Sequence, residues 1–150
     1  MREDEVQEVL NHWFQQRGYS VRENVAINSG NKIDLVAKSE HEEWFVEAKG
    51  DYDRNSAQYT VNFDTGIGQL LKSISRLDEQ TKYAIAIPMG RTERGEKLSY
   101  RRILPKYCRS LAFDALNIHF LLVHDDKSVE IITPSGARNF LCSINPKIQK

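Results

Sequence analysis

Three charged residues stand where the chain otherwise reads as core. Asp34 lies inside Ile33-Asp34-Leu35-Val36-Ala37, and Glu47 and Lys49 fall in the run Glu43-Trp44-Phe45-Val46-Glu47-Ala48-Lys49. In an extended strand alternate side chains share a face. This groups Phe45, Glu47 and Lys49 against Trp44, Val46 and Ala48, and sets Glu47 and Lys49 roughly 7 Å apart. Burying unpaired charge is costly. A divalent cation removes that cost, because hard cations take carboxylate oxygens. Mg²⁺ uses one or two carboxylates together with water and phosphate oxygens. A lysine beside such an ion orients or deprotonates an attacking water, or stabilises charge developing on a phosphate. The simpler reading is a Glu47–Lys49 or Asp34–Lys49 ion pair at a strand end, and Glu-x-Lys alone is a frequent pattern. The conjunction is rarer: Asp34 lies 13 residues before Glu47, inside an apolar strand and across one turn.

The surrounding pattern supplies elements to position these groups. Residues 3–16 repeat Val6, Val9, Leu10, Trp13 and Phe14 on one helical face. Glu3, Asp4 and Glu5 sit in the first turn, where the helix dipole favours acids, and Gly18 follows the helix as a C′ residue does. Strands are predicted over Tyr19–Ile27, Lys32–Lys38 and Glu43–Lys49, joined by Asn28-Ser29-Gly30-Asn31 and Ser39-Glu40-His41-Glu42. Short connections of this kind make an antiparallel meander. Residues 51–64 read as a polar loop, followed by a helix from about Thr65 to Leu77 with Ile67, Leu70, Leu71, Ile74 and Leu77 on one face. Tyr83-Ala84-Ile85-Ala86-Ile87 is a strand buried on both faces. A loop over Met89–Gly95 follows, then a helical stretch over 98–116 broken by Pro105. A hairpin over Ile118–Val123 and Ser128–Ile132 comes next, and the tail from Pro134 is weakly patterned. The expected fold is one α/β domain spanning 1–150, with a mixed central sheet flanked by helices. No glycine-rich phosphate loop follows any strand.

Ile33-Asp34 followed by Glu47-Ala48-Lys49 resembles the PD-(D/E)XK, or restriction-endonuclease-like, nuclease superfamily, and the element order is similar to its αβββαβ core. The likeness covers roughly residues 3–90, with the later helix and β-hairpin as a C-terminal extension. Lys32-Ile33 stands where the superfamily's name has proline. The resemblance implies a Mg²⁺-dependent DNA nuclease, with Mn²⁺ as a substitute ion. Asp34 and Glu47 correspond to its metal-binding acids, the Ala48 carbonyl to a further ligand, and Lys49 to the catalytic lysine. Gln69, in Gly66-Ile67-Gly68-Gln69-Leu70-Leu71, resembles the helix glutamine of several branches; Ser73 stands where an aromatic usually follows it. Many members add an acid from the first helix. Glu3, Glu5 and Glu8 are the candidates here, and Glu5 is preferred. Small nucleases of this type often form a homodimer to cut two strands.

Composition bounds these readings. The 150 residues are 40% hydrophobic and 28% charged, with 8 Gly, 4 Pro and a net charge of zero from 21 basic and 21 acidic residues. This is an ordinary globular composition that excludes disordered and collagen-like chains. No apolar run approaches a membrane span. Nothing near the start has the shape of a signal peptide, so the expectation is a cytoplasmic protein without a membrane partner. The zero charge divides unevenly. Residues 1–64 carry 13 acids and 7 bases, a balance of −6, and residues 65–150 carry 8 acids and 14 bases, a balance of +6. In the basic half, Lys97, Arg101, Arg102, Lys106 and Arg109 run without an acid among them, interleaved by Tyr100 and Tyr107. Lys72 and Arg76 lie on the preceding helix, and Arg91 and Arg94 in a loop. Such clusters neutralise phosphates; a solvated face is the simpler account of any one residue. Cys108 and Cys142 lack metal spacing and are expected as free, reduced thiols. His12, His41, His119 and His124 are not at ligand spacing. Two other functions compete with the nuclease. One is a non-catalytic nucleic-acid-binding or protein-interaction module on the same scaffold. The other, a small-molecule enzyme, lacks a cofactor fingerprint.

Overall fold

The amphipathic N-terminal run forms α1 (Glu3–Gln15) and buries Val6, Leu10 and Phe14. The computed structural model describes residues 1–27, 30–51, 56–90 and 100–144. After α1 come β1 (Ser20–Ala26), β2 (Lys32–Lys38), β3 (Glu43–Ala48), α2 (Ser56–Ser73) and β4 (Thr81–Pro88). Then follow α3 (Tyr100–Ile103), a 3₁₀ turn (Leu104–Tyr107), α4 (Ala112–Ala115), β5 (Ile118–Val123), β6 (Val129–Ile132), a second 3₁₀ turn (Pro134–Gly136) and α5 (Ala137–Ser143).

The six strands form one open sheet in chain order. The first three are an antiparallel meander. β3, β4 and β5 run parallel, and β6 returns antiparallel. The αβββαβ order and the mixed sheet flanked by helices agree with the expectation.

Each face of the sheet carries its own core. On one, α1 packs its apolar stripe onto Leu35, Ala37, Trp44, Val46, Ala48, Ala84, Ala86, Leu121 and Val123. The other face holds α2 and the later helices: Tyr59, Phe63, Leu70, Tyr100, Phe113 and Leu141 close over Ile85, Ile87 and Phe120. Because β3, β4 and β5 are parallel, their C-terminal ends share one edge. In open α/β sheets this is the edge where ligands bind.

Several elements differ from the sequence reading. The expected loop over 51–64 belongs to α2 from Ser56 onward, and that helix stops at Ser73 rather than Leu77. Its buried stripe is Tyr59, Asn62, Phe63, Leu70 and Ser73, with Gly66 also buried. Two polar residues and a glycine hid this stripe from hydrophobic counting. Leu71 and Leu77, expected to face inward, are 44% and 59% exposed. The helix expected over 98–116 is broken into α3, a 3₁₀ turn that Pro105 enters in its first positions, and α4. The tail is structured through residue 144: Thr133 Oγ1 accepts from the Gly136 N–H, and Ala137 and Leu141, one helical turn apart, are buried.

Cys108 and Cys142 are also not free. They form a disulfide with Cα atoms 5.1 Å apart, inside the range such bonds require. Spacing alone could not show this, because the pair is 34 residues apart and meets only when α5 folds back on the first 3₁₀ turn. No helix among the described residues is long and apolar enough to cross a membrane.

Candidate active site

The three charged residues that opened the sequence reading converge at the C-terminal end of β3. The β2–β3 ladder ends at the Leu35–Val46 pair. Beyond it a side chain replaces the main chain as acceptor, and Asp34 Oδ2 takes the Ala48 N–H at 2.8 Å. In an extended residue N–H and C=O turn to the same neighbour, so Ala48 turns its carbonyl toward Asp34 as well. On its other side β3 stays paired, with the Lys49 N–H donating to Ala86 O at 2.9 Å. The strand end is therefore open toward Asp34 and held toward β4.

Glu47 and Lys49 are 2% and 6% exposed. Lys49 Nζ lies 3.0 Å from Glu47 Oε1 and 4.0 Å from Glu3 Oε2. One ammonium thus faces two carboxyl groups and lies in the field of a third, Asp34. Burial pushes Glu47 up to about 7; the charge of Asp34 adds to this, and Lys49 opposes it. Burial also raises Glu3, with Lys49 opposing and Asp34 and Asp4 adding. For Lys49 burial acts downward, but Glu47, Glu3 and Asp34 outweigh it and hold the amine above its usual value. The pocket has an excess of negative charge that its own lysine does not neutralise.

Glu3 is brought here by the approach of α1 to the strand end. Gly50 makes that approach possible: a Cβ there would lie 2.3 Å from the Glu3 backbone nitrogen. The Asp51 N–H donates to Met1 O at 2.8 Å, and the Asp51 carboxylate pairs with the Met1 ammonium at 2.8 Å and accepts from Tyr59 OH. Tyr100 OH, buried, donates to Gly50 O at 2.7 Å and accepts from Asn62 Nδ2 at 2.9 Å. Two helices from the opposite core thus brace the residue that follows Lys49. Tyr100 and Asn62 were not singled out as site residues, because an aromatic and an amide carry no charge pattern to betray them.

The preferred first-helix acid is corrected. Glu5 is exposed, and its Oε2 accepts the Arg2 backbone N–H at 2.6 Å, an N-terminal cap. Glu3, not Glu5, reaches Lys49. Gln69 is half-buried on α2, one turn after Gly66. Among the described residues, its Oε1 and Glu47 Oε2 are the buried side-chain polar atoms without a hydrogen-bond partner. Buried acceptors left unpaired are costly and rare.

Among the described residues the basic side chains do not form one surface. Arg101 Nη2 donates to Met89 O at 3.3 Å, just past β4, on the same sheet edge as Lys49. Arg102 and Lys106 are exposed beside it in sequence, while Tyr107 OH is bound to Asp64 Oδ1 on α2. Lys72 is exposed in the last turn of α2. Arg76 is engaged elsewhere: Nε donates to Thr81 Oγ1 at 2.9 Å, and its guanidinium lies 3.7 Å from both Glu43 and Asp78. Glu43 begins β3, about 13 Å of strand from Glu47. Arg76 therefore braces the opposite edge of the sheet and does not join the site. Arg91, Arg94 and Lys97 lie outside the described residues. Of the histidines, His12 contacts Gln16 and His124 pairs with Glu130. His119 is packed edge-on against Trp44 and lowered by burial.

Among the described residues no three His, Cys, Asp or Glu side chains form a metal-holding group. A Mg²⁺ site does not need three, since the ion keeps waters beside one or two carboxylates. The donor set fits such an ion: two adjacent carboxyls, the orphaned Glu47 Oε2 and a pocket with excess negative charge.

No known family's sequence pattern matches the chain, and no curated protein matches it. Two solved structures share its fold. One is an XisH family protein from Nostoc punctiforme PCC 73102, with 14% identity and a TM-score of 0.51, covering 83% of this chain and 95% of that one. The other is an fdxN element excision controlling factor protein from Anabaena variabilis, with 14% identity and a TM-score of 0.53, covering 85% and 96%. At this identity the likeness concerns the fold alone.

Proposed function

We propose that this chain is a Mg²⁺-dependent DNA nuclease of the PD-(D/E)XK kind, with its site at the C-terminal end of β3. One observation carries the reading: a buried Glu47 carboxyl with one oxygen on Lys49 and the other on nothing, next to a second carboxylate. Burying that arrangement is costly unless something cationic completes it. Asp34 and Glu47 would hold Mg²⁺, with the Ala48 carbonyl beside them, and Mn²⁺ would substitute. Such an ion supplies Lewis acidity toward a phosphate oxygen and lowers the pKa of bound water.

The chain's own residues do the rest. Asp34 ties the strand end through Ala48 and presents its second oxygen. Glu47 holds Lys49 Nζ at 3.0 Å, which fixes the ammonium to orient the attacking water or to donate to the phosphate as charge develops. Glu3 adds a carboxylate on the far side of Lys49. Gln69 has an uncommitted oxygen to offer water or substrate. Arg101, on the same edge, and exposed Arg102 and Lys106 are the described cations suited to DNA phosphates. A homodimer would place two such sites on two strands.

The test is cleavage of supercoiled, linear, single-stranded and branched DNA with Mg²⁺ or Mn²⁺. Lys49→Ala and Asp34→Ala should each lose about 100-fold or more in rate, on the scale of removing one transition-state donor. Equal cutting by wild type and variants rejects the assignment. A second reading rests on the Asp34–Ala48 hydrogen bond and the Glu47–Lys49 pair, which also hold the strand end without a metal. In that case the chain is a non-catalytic module that binds nucleic acid or a partner protein. Calorimetry showing no binding of millimolar Mn²⁺ or Ca²⁺, with DNA binding indifferent to metal, would favour it.

A further inference from the structure

Glycine is a poor helix former, yet α2 carries two near its middle, Gly66 and Gly68. Neither has the positive φ that would require glycine. They differ in their surroundings. A Cβ at Gly68 would meet nothing within 4 Å. A Cβ at Gly66 would lie 2.9 Å from Lys49 Cε, 3.2 Å from Lys49 Cγ and 3.2 Å from Ile85 Cδ1. Only the first of these is closer than real Cβ contacts allow. The Lys49 stem therefore runs through the space left by the missing side chain. The stem is flexible, whereas Ile85 is fully buried in the core. An added methyl group would displace the Lys49 stem, while Ile85 Cδ1 would have to give by only a few tenths of an ångström.

We infer that Gly66 is a positioning residue for Lys49: the notch it leaves in α2 seats the lysine stem and fixes Nζ against Glu47. The catalytic consequence rests on the nuclease reading; the seating itself does not. A bare notch is needed because the Lys49 stem, on its way to Glu47 and Glu3, passes α2 within 2.9 Å of where a Cβ on residue 66 would stand. Any side chain there would send the ammonium elsewhere, at the cost of function more than of fold.

The experiment compares Gly66→Ala, Gly68→Ala, Lys49→Ala and the double variant Gly66→Ala/Lys49→Ala. The first readout is the set of ¹H–¹³C shifts of the Lys49 side-chain methylenes in lysine-labelled protein. Gly66→Ala should move them, and Gly68→Ala should leave them as in wild type. The second is thermal stability. Gly68→Ala should raise the melting temperature, as helix propensity dictates, and Gly66→Ala should not. Adding Gly66→Ala to Lys49→Ala should raise it again, because the obstructing stem is gone. If Gly66→Ala alone fails to fold, the double variant still decides, by folding or not. The third readout is Mg²⁺-dependent DNA cleavage. Gly66→Ala should cut kcat about tenfold with KM unchanged, the signature of a misplaced group that acts in the transition state, and Gly68→Ala should match wild type. Unmoved Lys49 shifts, or a double variant no more stable than Lys49→Ala, overturns the inference. Absence of cleavage in wild type rejects the nuclease reading and leaves the first two readouts to judge Gly66.

Discussion

Replacing Glu47 with glutamine should change how stability depends on pH, by an amount the structure fixes. Glu47 is 2% exposed, and burial beside Asp34 raises its carboxyl from 4.5 to about 7. Between those values the folded protein keeps a proton that the unfolded chain has released. Stability from this group is therefore complete below pH 4.5 and is lost as pH rises to 7. The rise from 4.5 to about 7, at roughly 1.4 kcal/mol per pH unit, corresponds to about 3–4 kcal/mol. Glutamine mimics the protonated acid, so Glu47→Gln should match wild type near pH 4.5 and exceed it by up to that amount at pH 8. Urea unfolding at pH 4.5, 6 and 8 measures both proteins. Glu3 and Asp51 are raised in the same direction by burial, so the informative quantity is the difference between the two curves. Added Mg²⁺ should rescue wild type at pH 8, where Glu47 is ionised, and leave Glu47→Gln unchanged. Parallel pH curves for the two proteins would refute the claim that Glu47 is held in a pocket with excess negative charge.

Other consequences follow from single contacts. Asp34→Asn keeps an acceptor for the Ala48 N–H and should hold stability within about 1 kcal/mol, while Asp34→Ala should lose about 2 kcal/mol in chemical denaturation; both should lose metal binding. Reduction, or Cys108→Ser, opens a disulfide spanning 34 residues and should cost roughly 3–4 kcal/mol by the loop-entropy relation. Two titratable thiols in the untreated, unfolded protein would show that the bond is absent. Arg76→Ala should leave DNA affinity unchanged and lower stability by no more than about 1 kcal/mol, since its ion pairs are partly exposed. Arg101→Ala, on the same edge as Lys49, should weaken DNA binding and reduce its salt dependence by about one phosphate contact.

Much of this was legible before the fold was known, for reasons particular residues make plain. β2 was bounded correctly because Asn31 and Lys38 bracket an apolar run, and Asp34 stood out because a lone acid inside it has no packing role. The Glu47–Lys49 alternation survived because a strand's period is two and admits no other grouping. Where the reading erred, the signal was long-range or polar. The buried stripe of α2 passes through Asn62, Gly66 and Ser73, so its start looked like a loop. Glu5 and Glu3 both suit a helix start, and only the close approach at Gly50 decides which one reaches Lys49. Arg76 looked like a phosphate ligand until β3 placed Glu43 beside it. The cysteine pair depends on α5 folding back, which no local pattern announces. The charge polarity also takes on a different meaning: the acidic half holds Asp34, Glu47 and Glu3, while in the basic half Arg101 and Arg76 lie at opposite edges of the sheet.

The most direct measurement is the position of Mn²⁺ in crystals of the wild-type protein, located by its anomalous scattering. A peak is expected next to the Asp34 and Glu47 carboxylates, with Lys49 Nζ on the same side, and none in Asp34→Ala crystals. Saturating Mn²⁺ with no peak between those carboxylates, in crystals where Glu47 remains paired to Lys49, would contradict it.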